Sequence, residues 1–368
     1  MSKRTQYLGI DLHQDTVTVA VLEEGAPAPR DVQSLPNDPA KLKRLVSRVA
    51  KQGPVTACYE ASACGYVLQR ALVAWGHSCD VIAPSLIPRR PGARLKTDRR
   101  DAAKLAHLYR SGELTAVRVP TEEEEERIRS LVRCREALVR EVLASRHHVL
   151  KLLQGRGQRY PGQEKWTAAY HAWLHAVSLP EPDDYTLATY MALLGSTLGL
   201  RQEVERKIEI YAQVEPWKDV VARLVCLRGV RVTTAMTLAV EVGDITRFAT
   251  ARHFMAWLGL NVTEYSSGSQ ERRGGITKAG NGRCRRVLVE AAWHYRHRPR
   301  VSKSLSDRRA GADPLAIAHA ERAQRRLCAR FQDLEARMPG AKVVVAVARE
   351  LAGFVWALMH KEATHRTS

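Results

Sequence analysis

Three features that commonly reveal function are missing from this sequence of 368 residues. The seven cysteines are scattered and form no C-x-x-C pair, and no secretory signal precedes the first strand-like segment, so a disulfide framework and a zinc ribbon are both excluded. The most apolar late stretch, Val343 to Met359, is interrupted by Arg349 and Glu350, which argues against a membrane span. No G-x-S-x-G motif is present, so a hydrolase triad has no support. These absences predict a soluble protein that works in a reducing compartment.

Acidic residues are also few compared with basic ones. The chain has 39 Asp and Glu against 58 Lys and Arg, a formal net charge of +19, while hydrophobic residues make up 45%. The apolar content is sufficient for folded cores, and the length predicts two or three domains. The excess of positive charge indicates a polyanionic partner, with nucleic acid as the first candidate.

The first third of the chain has the pattern of a mixed α/β sheet. Apolar and β-branched segments predict three strands, and a helix then begins after Asp38, with Pro39 at its first position. Alternating strands and helices follow, up to a helix from about Thr97 to Tyr109.

A long helix is predicted from Glu122 to Gln154, where neither Gly nor Pro occurs. Its apolar residues fall largely on a heptad seam, interrupted by Arg135 and Ser145, so a dimerising coiled coil and a helix packed on its own domain remain equally open. The rest is predicted to be mostly helical, with a loop from Ser266 to Gly282 and a basic linker from His297 to Pro314. The predicted divisions are residues 1–118, 119–215, 216–300 and 301–368.

Four acids of the predicted α/β region are candidates for a metal site. Asp11 lies near the end of the first strand and Glu60 directly follows the fourth, while Asp98 and Asp101 share one helix face. Ligands bind outside strand ends in open α/β sheets, and clustered carboxylates need a cation such as Mg²⁺ or Mn²⁺. The alternative is that these acids cap turns and pair with neighbouring arginines.

Two basic runs lie beside glycine-rich segments, one from Arg89 to Lys104 and one from Ser269 to Arg300. Such runs are suited to phosphate contacts, although a charged run is also a common solvated surface. The candidate nucleic-acid-binding residues are Arg94, Lys96, Arg99, Arg100, Arg272, Arg273 and Lys278. The segment Leu227-Arg228-Gly229-Val230 resembles a helix-hairpin-helix turn but has Arg231 where a second glycine is usual, so a plain αα-hairpin is equally open.

Several of these segments together resemble the DEDD transposases of bacterial insertion sequences, which are RNA-guided recombinases. The resemblance spans most of the chain and is weakest from residue 155 to 216. The segments that carry it are Gly9-Ile10-Asp11, Tyr59-Glu60-Ala61, Lys96-Thr97-Asp98-Arg99-Arg100-Asp101-Ala102, Leu227 to Val230, Phe254 to Leu260, Tyr265-Ser266-Ser267-Gly268 with Gly275 to Asn281, and Ala348 to Gly353.

The resemblance implies an RNase H-like (RuvC-type) N-terminal domain in which Asp11, Glu60, Asp98 and Asp101 bind divalent metal, followed by a mostly α-helical transposase domain. It also implies that Ser267, with Ser266 as the fallback, attacks a DNA phosphodiester to give a covalent protein–DNA intermediate. Acids of one subunit and the serine of another would complete the site in a dimer or tetramer. The implied partners are donor DNA, target DNA and a structured non-coding guide RNA, in the bacterial cytoplasm at the nucleoid.

Two alternatives remain open from the residues alone. One is a metal-dependent junction resolvase or nuclease that uses water as its nucleophile. The other is a non-catalytic nucleic-acid-binding protein.

Overall fold

The computed structural model describes residues 3–88, 97–120, 123–267 and 270–360, with the backbone alone for residues 123, 266, 267, 270 and 271. The chain forms two compact units, Met1–Thr121 and Glu122–Ser368. The finer division into four parts remains a prediction.

The first unit contains a mixed five-stranded sheet, as the sequence predicts. Its strands are β1 (Gln6–Leu12), β2 (Thr16–Glu23), β3 (Asp31–Pro36), β4 (Val55–Glu60) and β5 (Ser78–Ile82). The strand order is β3-β2-β1-β4-β5. β2 is antiparallel to both β1 and β3, whereas β4 is parallel to β1 and β5. The central strand β1 is therefore paired on both edges, which holds the residues at its end in a defined place.

Helices cover both faces of this sheet. They are α1 (Pro39–Ala50), α2 (Val67–Ala74) and α3 (Asp98–Arg110). One core contains side chains of α1 and α2 with β1, β2, β4 and β5, and a second contains Ala20 and Leu22 of β2 with Ala102 and Ala106 of α3. Asp38 caps α1 as predicted, since its Oδ1 accepts hydrogen bonds from the backbone N–H groups of Ala40 at 2.7 Å and Lys41 at 3.1 Å.

The second unit is mostly helical. Its helices are α4 (Glu123–Gly155), α5 (Ala168–Ala176), α6 (Asp183–Tyr211), α7 (Trp217–Leu224), α8 (Val232–Val242), α9 (Ala251–Trp257), α10 (Gly282–Ala292), α11 (Lys303–Arg309), α12 (Pro314–Glu335) and α13 (Gly340–Met359). Its largest core joins α7, α8, α10, α12 and α13 with parts of α4, α6 and α9.

The long helix α4 packs against α6 and α8 of its own unit. Burial follows the predicted heptad seam at Ile128, Val142 and Val149. It departs from the seam elsewhere, since Val132 and Leu153 are buried more deeply than the adjacent seam residues, Leu131 and Leu152. A helix that contacts two neighbours in succession buries a wider stripe than a heptad seam provides. In the structure, α4 therefore packs on its own unit. A coiled coil between subunits remains a prediction.

Two predictions about the second half need correction. The segment predicted as a loop from Ser266 to Gly282 begins with an antiparallel hairpin of β6 (Val262–Ser267) and β7 (Gln270–Ile276). The predicted basic linker contains α11, whose Leu305 is 3% exposed. Both segments are rich in glycine, serine and arginine. The hairpin depends on pairing between its strands and α11 on burial of Leu305, and composition reveals neither.

All seven cysteines are free thiols in the structure. Among the described residues, no helix combines the length and the apolarity needed to cross a bilayer.

Candidate functional site

A close approach between a strand and a helix positions the candidate site. At Gly9 of β1, an added Cβ would collide with the backbone carbonyl oxygen of Ala102 and lie 2.9 Å from the Cα of Ala106. Only glycine allows α3 to lie this near to β1. The contact brings the first turn of α3 beside the carboxyl end of β1.

Three side chains converge there: Asp11 from β1, His13 directly after β1, and Asp98 at the start of α3. Nε2 of His13 lies 3.4 Å from Oδ2 of Asp11 and 3.9 Å from Oδ1 of Asp98. One ligand atom from each of the three lies within 4.8 Å of the others. Two carboxylates and one imidazole are thus close enough together to hold one divalent cation.

The electrostatics of Asp11 are consistent with a cation at this place. Burial raises the pKa of Asp11 above its usual range, and the charges of Asp98 and Asp101 raise it further, while His13 lowers it. The charges of Asp98 and Asp101 repel that of the half-buried Asp11, so a divalent cation would relieve the repulsion. The donor set of oxygens with one nitrogen fits a divalent metal.

Glu60 and Asp101 are near this group but outside it. The parallel register of β1 and β4 ends with Ile10 opposite Tyr59, so Asp11 and Glu60 are the next residues on neighbouring strands. Glu60 is exposed, and Asp101 is half-buried on the first turn of α3, where its charge acts on Asp11. Of the four predicted acids, the structure brings Asp11 and Asp98 within ligand distance of each other, and the role of all four acids as metal ligands remains a prediction.

His13 is not among the predicted site residues, since it lies in the short polar segment between β1 and β2. The sequence does contain a signal for His13, which is the spacing Asp-x-His at the carboxyl end of a predicted strand. If β1 continued, residue 13 would lie on the same face of the sheet as Asp11. The chain turns instead, and the imidazole of His13 faces both carboxylates.

Two of the predicted basic residues of the first unit lie beside this site. Arg99 and Arg100 are exposed on the first turn of α3, whereas Arg94 and Lys96 lie outside the described residues. The hydroxyl of Thr97 accepts a hydrogen bond from the backbone N–H of Arg100 at 3.4 Å, which caps the helix. The capped turn holds both arginines beside Asp98.

The candidate serines are at the tip of the β6–β7 hairpin. Ser267 is the last residue of β6 and is opposite Gln270 of β7, and Ser266 is opposite Glu271. Their side chains lie outside the described part of the chain. Arg272 and Arg273 on β7 are exposed, as is Lys278 in the segment that follows.

The base of this hairpin is fixed by two close backbone contacts. An added Cβ at Gly259 would collide with the carbonyl oxygen of Ala279, and one at Gly280 would collide with that of Trp257. The backbone N–H of Lys278 donates to the carbonyl oxygen of Gly259 at 3.1 Å, and that of Asn281 donates to Trp257 at 3.2 Å. These contacts explain Gly259 in the motif from Phe254 to Leu260 and Gly280 in the motif from Gly275 to Asn281.

A buried carboxylate, that of Glu241, links the base of the hairpin to α4. The side chain of Glu241 is 2% exposed and accepts hydrogen bonds from Arg133 Nε at 2.7 Å and Nη2 at 3.0 Å, and from Asn281 Nδ2 at 2.9 Å. The Oδ1 atom of Asn281 accepts from the backbone N–H groups of Arg283 and Cys284 and so caps α10. Sequence inspection missed Glu241, because an acid within an apolar helix has no local signature of its partners.

Comparison with known proteins matches both halves of the chain to transposases. A DEDD transposase family model of IS110 elements matches residues 8–156, which contain Asp11, Glu60, Asp98 and Asp101. The model of the transposase IS116/IS110/IS902 family matches residues 221–306, which contain the β6–β7 hairpin.

Relatives extend the likeness to nearly the full length. The chain is 41% identical to putative transposase y4qE of Sinorhizobium fredii over 368 residues, which cover 99% of this chain and 91% of the relative. It is 30% identical to the transposase for insertion sequence element IS1533 of Leptospira borgpetersenii, over 90% of this chain and 97% of the relative. With both family matches and this coverage, the chain belongs to the IS110 family of insertion-sequence transposases.

Proposed function

We propose that this transposase cleaves and rejoins DNA through Ser267, assisted by a divalent cation at the site of Asp11 and Asp98. The observation that carries the proposal is the convergence of Asp11, His13 and Asp98 where β1 ends and α3 begins. The sheet order, with three antiparallel strands followed by two parallel ones, supports an RNase H-like fold of the RuvC type for this unit.

In this proposal Asp11 and Asp98 hold the cation, and Glu60 and Asp101 complete its surroundings from the adjacent strand end and helix turn. Mg²⁺ or Mn²⁺ bound there would supply positive charge to the oxygens of the reacting phosphodiester. A bound cation would also stabilise the ionised carboxylate of Asp11, whose pKa is raised by burial and then by the charges of Asp98 and Asp101.

Ser267 supplies the nucleophile. Its Oγ forms a bond to phosphorus while the bond from phosphorus to the 3′-oxygen breaks. The hydroxyl proton of the serine passes to solvent, and the departing 3′-oxygen takes up a proton from solvent. The products are a seryl phosphodiester and a free 3′-hydroxyl, so the energy of the original ester is retained for rejoining. Serine is a weak nucleophile without an activating base or metal, which is why the acids are part of the proposal.

The basic residues bind nucleic acid in this proposal. Arg99 and Arg100 are placed to contact phosphates near the acids, and Arg272, Arg273 and Lys278 are placed to contact them near the hairpin, with Arg94 and Lys96 as further candidates. The net charge of +19 suits a protein that binds donor DNA, target DNA and a non-coding guide RNA. Assembly as a dimer or tetramer belongs to the same proposal.

Covalent trapping tests the mechanism directly. The protein is incubated with Mg²⁺, the element's non-coding RNA and labelled DNA carrying the element junction, and is then separated on a denaturing gel beside Ser267→Ala, Ser266→Ala and Asp11→Asn. We expect a metal-dependent protein–DNA band that is lost in Ser267→Ala and Asp11→Asn and retained in Ser266→Ala.

Other outcomes identify the alternatives. Cleaved DNA without an adduct, unchanged by Ser267→Ala, would indicate a nuclease that uses water. Binding without cleavage, with or without Mg²⁺, would indicate a protein that only binds nucleic acid.

A further inference from the structure

The turn between α7 and α8 is packed tightly against the end of α10. Gly229 in this turn has φ +81°, and an added Cβ would lie 2.5 Å from the carbonyl oxygen of Ala291 and 3.0 Å from Cδ2 of His294. The packing places Arg228 and Arg231, on either side of the glycine, beside His294. It therefore gathers basic side chains that are distant in sequence.

Two arginines around this turn are held by neutral acceptors. Arg228 donates from Nη1 to the carbonyl oxygen of Arg298 at 2.9 Å, and Arg308 donates from Nε to that of Val225 at 3.3 Å. Carbonyl oxygens orient a guanidinium group but leave its positive charge uncompensated. Within the described part of the chain, Arg228, Arg231 and Arg308 make no ion pair with a carboxylate.

The charges in this group act on one another. Burial lowers the pKa of His294, and the charges of Arg228, Arg231, His297 and Arg308 lower it further. Burial likewise lowers the pKa of Arg308, followed by the charges of Arg231 and Arg309. Like charges held this close destabilise the free protein, and an anion bound among them would remove that repulsion.

Some other arginines of the second unit are paired with acids. Arg296 lies 3.2 Å from Glu335, and Arg326 lies 3.0 Å from Glu350. Arg309, next to the group, lies 3.7 Å from Glu321. Arg228, Arg231 and Arg308 lie together around the Gly229 turn without such a pair among the described residues, and we call them the arginine cluster.

We propose that the arginine cluster binds backbone phosphates of duplex DNA. A guanidinium group matches the geometry of a phosphate better than an ammonium group does, and contacts to phosphates bind DNA regardless of base sequence. Duplex DNA is the occupant because the chain belongs to a transposase family. The inference rests on the proposed function for its ligand, but it involves neither the acids nor Ser267.

The test measures DNA affinity without strand cleavage. The full chain is titrated against a labelled 30-base-pair duplex in EDTA at several NaCl concentrations, with fluorescence anisotropy as the readout. Arg231→Glu is the main variant, because Arg231 is exposed and lies at the N-cap of α8, where a carboxylate is favourable to the helix. Arg206→Glu on α6 is the matched control, since Arg206 is exposed and the change in net charge is the same.

We expect Arg231→Glu to weaken binding about tenfold at moderate salt and to reduce the slope of log affinity against log salt by about one. Arg206→Glu should change affinity by no more than about twofold, because the charge of Arg206 lies outside the proposed contact surface. Arg231→Lys should bind with an intermediate affinity, and the thermal midpoint of each variant should match that of the parent protein.

Three results would overturn the inference: equal losses in Arg231→Glu and Arg206→Glu, no loss in either, or a loss confined to a labelled single-stranded RNA of similar length. Failure of the proposed function gives a different pattern, since the unaltered protein would form no adduct with Mg²⁺ while the effect of Arg231→Glu on duplex affinity remained.

Discussion

Gly9 of β1 lies against the backbone of Ala102 in α3, closer than any residue with a Cβ would allow. Asp11 is two residues further along the same strand, and Asp98 is one helical turn before Ala102. This contact between strand and helix therefore determines the separation of the two carboxylates.

Replacing Gly9 with alanine should force α3 away from β1. We expect Gly9→Ala to destabilise the protein by about 3 kcal/mol, because the added methyl group would meet backbone atoms that have no room to move. Urea unfolding measures the loss. Gly195→Ala in α6 is the control, since its Cβ would meet nothing within 4 Å, and alanine there should be neutral or stabilising. Equal effects of the two changes would contradict the packing argument.

Removal of a carboxylate should abolish metal-dependent stabilisation. In the parent protein, Mn²⁺ or Mg²⁺ should raise the thermal midpoint, and EDTA should reverse the rise, because a ligand that binds only the folded state stabilises it. Asp11→Asn and Asp98→Asn should lose most of this response. Asp31→Asn on the edge strand β3 is the control and should keep it. A response that persists in Asp11→Asn would place the metal elsewhere.

His13 should affect which metal binds. An imidazole nitrogen favours Mn²⁺ and later transition metals over Mg²⁺, which prefers oxygen ligands. We therefore expect His13→Ala to weaken Mn²⁺ binding several-fold more than Mg²⁺ binding, as measured by calorimetric titration. An equal loss for both metals would mean that His13 only orients Asp11 through their contact of 3.4 Å.

Loss of Arg133 should leave the buried carboxylate of Glu241 with Asn281 as its main hydrogen-bond donor. We expect Arg133→Ala to cost about 3 kcal/mol in the free energy of unfolding, since a buried charge would lose its counter-ion. Arg325→Ala removes an exposed ion pair of 4.0 Å with Glu321 and should cost less than about 1 kcal/mol. Similar losses for both would show that the Glu241 pair contributes no more than a surface pair.

The same pair should make stability depend on pH. Burial raises the pKa of Glu241, but the hydrogen bonds and charge of Arg133, together with the Asn281 hydrogen bond, outweigh it, so the pKa lies below its ordinary value of 4.5. The stabilisation is therefore complete above pH 4.5 and is lost as pH falls through the folded-state pKa. We expect Glu241→Gln to be destabilising at pH 7 and to converge with the parent protein at lower pH, in urea unfolding at each pH. A constant difference across pH would contradict this.

The strands and helices of the first unit are predictable from the sequence, because hydrophobic alternation, the Asp38 cap and the breaks between segments are local properties. The sequence also indicated Asp11 and Asp98, since acids that follow buried strands or start a helix are visible in the chain order. The helices from α4 onward were predicted in outline for the same reason.

Which residues these elements bring together is visible only in the folded chain. The approach of α3 at Gly9, the contact of His13 with both carboxylates, the β6–β7 hairpin, the partners of Glu241 and the arginine cluster all join residues that are far apart in sequence or lack a local signature. Such contacts depend on how folded segments pack, and packing is a property of the whole chain rather than of any window within it.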